Sequence, residues 1–255
     1  MKIEGQAALV TGGGSGLGEA VGRELARLGA KVAVLDVNAA SAERVAGEIG
    51  GKALAADICD SASLTAALDA AEAAHGGPAR IVMNIAGIGT AKRVVGKDGQ
   101  PAPLEDFERV VRINLIGTYN VVRLAAARIA RLPPLTGGER GVMLMTASVA
   151  AFDGQVGQEA YSASKAALVG MTLPLARDLA QHGIRVCTVA PGLFETPLMK
   201  QLPEAVQQSL AASIPFPPRL GKPSEFAELA VHVVTNAHLN GETIRLDGAL
   251  RMAPR

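Results

Sequence analysis

The stretch from Ala7 to Leu28 narrows the choice of fold more than any other part of this chain. Ala7-Ala8-Leu9-Val10-Thr11 is an apolar run of strand length, Gly12-Gly13-Gly14-Ser15-Gly16-Leu17-Gly18 is a glycine-rich turn, and a helical stretch follows. A strand, a glycine turn and a helix in that order form the arrangement that binds a dinucleotide pyrophosphate. Glycine permits the tight turn and the close approach of backbone to ligand, while the helix start offers unpaired N–H groups to phosphate. Gly12, Gly16 and Gly18 are therefore candidate cofactor contacts. The spacing Thr11-Gly12-x-x-x-Gly16-x-Gly18 differs from the commoner Gly-x-Gly-x-x-Gly, its first two key glycines lying further apart.

Strand and helix signals then alternate along the chain. A second strand, Lys31 to Leu35, ends in Asp36, whose carboxylate can accept both hydroxyls of an adenosine ribose and repels a 2′-phosphate, favouring NAD over NADP. A helix from about Ala40 to Ile49 and a strand near Lys52 to Ala56 lead to Asp57-Ile58; Asp57 either meets the adenine amino group or begins a turn capped by Ser61. After a helix from Ser61 to Ala74, a fourth strand, Arg80 to Met83, opens into Asn84-Ile85-Ala86-Gly87, where small residues let the backbone pass close to a bound ribose. The loop from Lys92 to Pro103 reads first as a solvated turn, although Lys92, Arg93 and Lys97 would also suit an anionic tail such as the phosphates of coenzyme A.

One helix is expected from Leu104 to Arg131, with apolar residues on more than one face, among them Val111, Ile113, Ile116, Val122 and Leu124. Covering a sheet takes only one apolar stripe, so the second face predicts a homo-oligomer. Asn114, polar in this apolar context, is costly unless hydrogen-bonded, and serves either as a structural kink or to hold a water in a proton path. A fifth strand, Val142 to Thr146, carries Ser148 just beyond its end, and a sixth, Arg185 to Ala190, leads into Pro191-Gly192. Residues 194–218 are apolar but broken by proline, with Phe194, Leu198, Met199, Leu202 and Leu210, as a lid over an apolar substrate would be. A helix from about Ser224 to Val234 and a strand from Thr243 to Leu246 complete seven strands.

The chemistry concentrates in a helix predicted from Gly157 to His182. Tyr161 and Lys165 lie four residues apart, one turn above each other on one face. A phenol is a poor acid or base at neutral pH, and a neighbouring ammonium stabilises its phenolate. Ser148, thirteen residues earlier, is placed to bring a second hydroxyl to the same carbonyl oxygen. A hydrolytic role for Ser148 is disfavoured, since it has neither a Gly-x-Ser-x-Gly elbow nor a downstream His–acid pair.

Composition excludes several partner classes. Twenty-five Lys and Arg against 24 Asp and Glu give no field toward nucleic acid or a membrane surface. Two cysteines, Cys59 and Cys187, are too few for a disulfide framework, and four scattered histidines lack metal-ligand spacing, so no metal is expected. The first strand follows the start of the chain at once and no apolar run approaches a membrane span, so a cytoplasmic location is expected.

In order and spacing, Thr11-Gly12-x-x-x-Gly16-x-Gly18, Asn84-x-Ala86-Gly87, Asn114, Ser148, Tyr161-x-x-x-Lys165 and Pro191-Gly192 resemble the short-chain dehydrogenase/reductase superfamily across essentially the whole chain. The segments Ala147–Phe152, Gly154–Gln158, Pro191–Phe194 and Arg245–Ala249 are similar to those of members acting on 3-hydroxyacyl-CoA esters. The resemblance implies one α/β domain over residues 1–255, a Rossmann-type, doubly wound, seven-stranded parallel sheet with helices on both faces, a homotetramer, and NAD-linked oxidation of an acyl-CoA ester. It also implies cofactor contacts from Ser15, Leu17, Asp36, Asp57, Ile58, Asn84, Ile85, Ala86, Gly87, Pro191, Gly192, Phe194 and Thr196, with Tyr161 and Lys165 added. Tyr161 would act as the base, Ser148 would hold the reacting oxygen, Lys165 would lower the Tyr161 pKa, and Asn114 would hold a water. Position 85 departs from the Asn-Asn pair common in the superfamily, so its contact is expected through backbone alone, and Glu195 adds a charge to the lid. The alternatives are an acyl-carrier-protein or acetoacetyl-CoA reductase using NADPH, a steroid or other secondary alcohol dehydrogenase, and a non-catalytic dinucleotide-binding scaffold.

Overall fold

The computed structural model describes residues 1–254. Strands β1 (Ala7–Thr11), β2 (Lys31–Asp36), β3 (Lys52–Ala55), β4 (Ile81–Asn84), β5 (Gly141–Thr146), β6 (Ile184–Pro191) and β7 (Thr243–Leu246) form one sheet in the order β3-β2-β1-β4-β5-β6-β7, with parallel pairing throughout. The expected doubly wound sheet is thus the observed one. Its strands are apolar on both faces because both faces are covered. Along β1 the alternation is direct: Ala8 and Val10 join the core under α1 (Gly16–Arg27), α2 (Ala39–Ile49) and α9 (Pro223–Thr235). Leu9, between them, points into the opposite core, under α3 (Ser61–His75), α5 (Thr118–Ile129) and α6 (Glu159–Ala180). Each fully buried aliphatic side chain in these layers contributes roughly 1.5–3 kcal/mol.

Strand order reverses between β1 and β4, and beyond the carboxyl ends of those strands a doubly wound sheet leaves its ligand crevice. Two expectations change in detail. The helix predicted over 104–131 is helical throughout most of that range but in three segments: α4 (Leu104–Val111), a π-helical turn (Arg112–Gly117) and α5. The π turn holds Asn114, and such turns mark places where a helix is bent to function. The proline-broken lid segment contains two helices, α7 (Pro197–Lys200) and α8 (Glu204–Ala212), with Pro197 and Pro203 at their starts, where a missing N–H costs nothing. No helix among the described residues is long and apolar enough to cross a membrane.

Candidate active site

A cavity of about 610 Å³ opens at the switch point. Its floor is set by collisions that only glycine avoids. Gly12 adopts φ +65°, and a Cβ there would lie 2.8 Å from the Ala86 backbone; a Cβ on Gly18 would come within 2.1 Å of the Gly12 carbonyl oxygen. Helix α1 therefore packs directly onto its own entry turn. Ser15, at its N-cap, makes no side-chain capping bond, so the cap hydroxyl is left for a ligand at the cavity wall. The Thr11 hydroxyl accepts from the N–H groups of Ile85 (3.2 Å) and Ala86 (3.3 Å), holding the turn after β4 against the turn after β1. The sequence reading gave Thr11 no role; its place at a strand end just before the glycines is the signal that could have.

Asp36 stands at the rim with both oxygens oriented by backbone: Oδ2 accepts from Gly14 N–H (3.0 Å) and Oδ1 from Asn38 N–H (3.0 Å). Asp57 lines the cavity and also folds the following turn, accepting from Cys59 N–H at 2.8 Å. The cap of α3 is Asp60 rather than Ser61, since the Asp60 carboxylate accepts from Ala62 and Ser63 N–H. Ser15, Gly16, Leu17, Ile58, Ile85, Gly87, Pro191, Gly192, Phe194 and Thr196 also line the cavity. Asn84 does not. Only 2 % exposed, it turns into the sheet, where its Nδ2 donates to the Leu144 carbonyl at 3.1 Å and ties β4 to β5.

On the opposite wall, Ser148, Tyr161 and Lys165 come together beyond β5. The Ser148 oxygen accepts from Ala150 N–H (3.1 Å), which leaves its proton free to donate. Lys165 is buried; its Nζ donates to the Thr146 carbonyl at 2.7 Å and lies 5.8 Å from the centre of the Tyr161 ring. Burial raises the Tyr161 pKa, opposed by hydrogen bonding with Ser148. Burial also lowers that of Lys165 from 10.5 to about 8. The lowering expected from Lys165 does not prevail here: the ammonium spends a bond on Thr146, and desolvation favours the neutral form of both groups, raising the phenol and lowering the amine.

Asn114 is fully buried and lies outside the cavity wall. Its Oδ1 accepts from Ile88 N–H (2.8 Å), and its Nδ2 donates to the Ile88 carbonyl (2.9 Å) and to the Ser164 hydroxyl (3.1 Å). Both amide hydrogens are thus committed, so the side chain clamps the Gly87–Gly89 backbone beside Lys165 and has no proton left to hold a water. Of the two roles expected for Asn114, a structural irregularity of the helix or a hold on a water, the first has a counterpart in the π-helical turn at Arg112–Gly117.

The far side of the cavity begins the lid segment. Phe194 is buried and edge-on to Phe226, ring centres 6.3 Å apart, with Gly221 so close that a Cβ there would lie 2.7 Å from the ring. It is a fixed root. Beyond it Met199 and Leu210 pack on Ile214, Leu220 and Leu250, and Leu202 is exposed; the side chain of Leu198 lies outside the described residues. In the loop before α4, Lys92 is ion-paired with Asp106, while Arg93 and Lys97 are exposed.

With this geometry in hand, comparison with known proteins is specific. A family profile described as short chain dehydrogenase matches residues 6–207. A Drosophila melanogaster protein named 3-hydroxyacyl-CoA dehydrogenase type-2 is 51% identical over 99% of this chain and 100% of its own. The crystal structure of a 3-hydroxyacyl-CoA dehydrogenase type-2 from Mycobacterium avium superposes with TM-score 0.93 at 42% identity, covering 98% of both chains. That of a 3-ketoacyl-(acyl-carrier-protein) reductase from Brucella melitensis complexed with NADH gives 0.87 at 35% identity, over 98% of this chain and 100% of the other. A glycine turn under a helix start, and a serine, tyrosine and lysine gathered on the facing wall, are thus found in a chain that belongs to the short-chain dehydrogenase family.

Proposed function

We propose that this protein interconverts 3-hydroxyacyl-CoA and 3-oxoacyl-CoA esters by hydride transfer with NAD(H). The observation that carries the reaction type is the convergence of Ser148, Tyr161 and Lys165 on the wall of a cavity whose other wall is Gly12, Gly16, Gly18 and Asp36. The substrate class is supported by the names of relatives at about half identity over nearly the full length. The residues present fit a dinucleotide: an α1 start with its cap hydroxyl unused, backbone held near enough at Gly12 to exclude any side chain, and a carboxylate where a ribose diol would lie and a 2′-phosphate would be repelled. NAD, when bound, supplies the hydride acceptor.

The remaining work falls to side chains. Tyr161 as phenolate takes the proton from the 3-hydroxyl. Ser148 donates to the same oxygen and steadies the charge that develops on it. Lys165 stabilises the phenolate and would hold the nicotinamide ribose. Asn114 keeps the Gly87–Gly89 backbone and Ser164 in place, and because both its amide hydrogens are committed, a water it holds for the proton's onward path would donate to one of its oxygens, Oδ1 or the main-chain carbonyl. Residues 194–218 close over the acyl chain, within a single domain spanning residues 1–255. Arg93 and Lys97 meet the coenzyme A phosphates; changing both to Ala would then raise KM for a CoA ester but leave that for its short pantetheine analogue unchanged.

We further propose a cytoplasmic homotetramer. Exposed Phe107, Ile116, Tyr119 and Leu173 supply apolar surface on α4 to α6 for subunit contact, and two free thiols suit a reducing compartment. Light scattering on a gel-filtered sample should give four times the chain mass, and a monomer at micromolar concentration refutes the tetramer. The reaction is tested by NADH consumption with acetoacetyl-CoA, beside NADPH and a steroid ketone. Turnover confined to NADH and the ester is expected. Activity on the ketone alone would keep Tyr161 and Lys165 in their roles and overturn the substrate.

A further inference from the structure

Ser148 and the start of α6, which carries Tyr161, are joined by one loop, and residues 245–254 hold that loop from outside. Arg245, at β7, donates from Nη2 to the Asp153 carboxylate (2.6 Å) and to the Leu250 carbonyl (3.0 Å), and from Nε to Asp247 (2.7 Å), while its guanidinium lies 5.1 Å from the centre of the Phe152 ring. Further along, Gln155 Nε2 donates to the Ala253 carbonyl (3.0 Å) and Val156 N–H to that of Pro254 (3.1 Å). The same few residues also hold the lid. Leu250, 2 % exposed, packs with Ile214 and Leu220, and Phe216 N–H donates to the Gly248 carbonyl (3.2 Å). Gly248 sits at φ +59°, and a Cβ there would lie 2.6 Å from Ile214.

We propose that residues 245–254 form a strap joining the two walls of the substrate cleft, and that Arg245 is the positioning residue that sets one wall against the other. Its planar fork reaches Asp153, Asp247 and the Leu250 carbonyl at once, so the loop that joins Ser148 to the helix of Tyr161 and the residue on which the lid packs share one guanidinium. The strap thereby links the lid to the loop. The choice of assay substrate rests on the hydroxyacyl-CoA reading, whereas the coupling itself does not.

The test is hydrogen exchange on the full-length protein, comparing wild type with Asp153→Asn and Arg245→Lys. The first weakens the clamp at a residue whose carboxylate bonds only to Arg245 among the described side chains; the second keeps the charge but not the fork. In both variants, exchange in residues 204–214 is expected to speed up by about tenfold together with that in 149–158. KM for a long-chain 3-oxoacyl-CoA should rise about fivefold, with kcat within about twofold and NADH affinity unchanged. Faster exchange confined to 149–158, with the lid as protected as in wild type, overturns the strap. If wild type turned over no CoA ester at all, the substrate reading would fail and exchange alone would decide the coupling.

Discussion

At the cofactor end of the cleft the walls are strand ends and a helix start that belong to the two large cores, whereas the substrate end is closed by a loop, a lid and a tail, the lid and tail meeting in a small cluster around Ile214, Leu220 and Leu250. The first end is defined by backbone passing backbone, as at Gly12 against Ala86 and Gly18 against Gly12. At the second, side chains are tied together by hydrogen bonds from distant parts of the chain. Rigid walls suit a cofactor that every turnover shares. A lightly anchored wall suits acyl chains that must enter and leave.

The largest effect expected is at the point where the two ends meet. Tyr161→Phe removes the proton acceptor and should lower kcat by about 10²–10⁴, the usual range for general acid–base catalysis, while NADH binding, followed by fluorescence, survives. Equal loss of both would show that Tyr161 supports the cofactor end instead. Lys165 allows a sharper separation. Its folded pKa of about 8 lies below the ordinary 10.5, so the unfolded chain binds more protons across that interval and stability rises with pH there. Relative to Lys165→Met, wild type should therefore gain about 3 kcal/mol between pH 7 and pH 11, read from urea titrations at each pH. A pH-independent difference would mean that Lys165 is not desolvated as its burial implies.

The same contrast explains what was legible in the sequence. The glycine turn, Asp36 and the Tyr161–Lys165 pair are close in sequence, and their spacing on strand ends or one helix face carries their geometry. All seven strands were legible as well, because short apolar runs between turns leave few alternatives. The roles of Asn84 and Asn114 were not. Whether an amide faces a cavity or ties two strands depends on which neighbour supplies the partner, and Leu144 and Ile88 lie 60 and 26 residues away. The Asp153–Arg245 bond spans 92 residues, and nothing local announces it. The direction of the Tyr161 shift was missed for a related reason: spacing places a lysine beside a phenol but does not tell how deeply both are buried.

Asp36 tests whether the cofactor end is as independent as it looks. Replacing it with Ser removes like-charge repulsion toward a 2′-phosphate, and discrimination of NADH over NADPH should fall at least about tenfold, measured as the ratio of kcat/KM values. KM for the CoA ester should not move. A change there would mean that the rim at β2 reaches across to the lid, and unchanged discrimination would show that a different residue sets cofactor choice.

Leu250→Ala gives the smallest expected change in stability and is the most direct probe of the comparison. In a large, cooperative core the same truncation costs about 3–5 kcal/mol, because the cavity left behind weakens the whole fold. Leu250 is as well buried, yet the cluster it completes is small and belongs to the lid and tail alone. Its loss should therefore be absorbed by local opening of residues 197–214, with the global melting temperature falling by no more than about 2–4 °C. KM for a long-chain ester should rise while NADH affinity holds. A fall of 10 °C or more would place the satellite cluster inside the same cooperative unit as the sheet, and the two ends of the cleft would then differ in composition but not in how they are held.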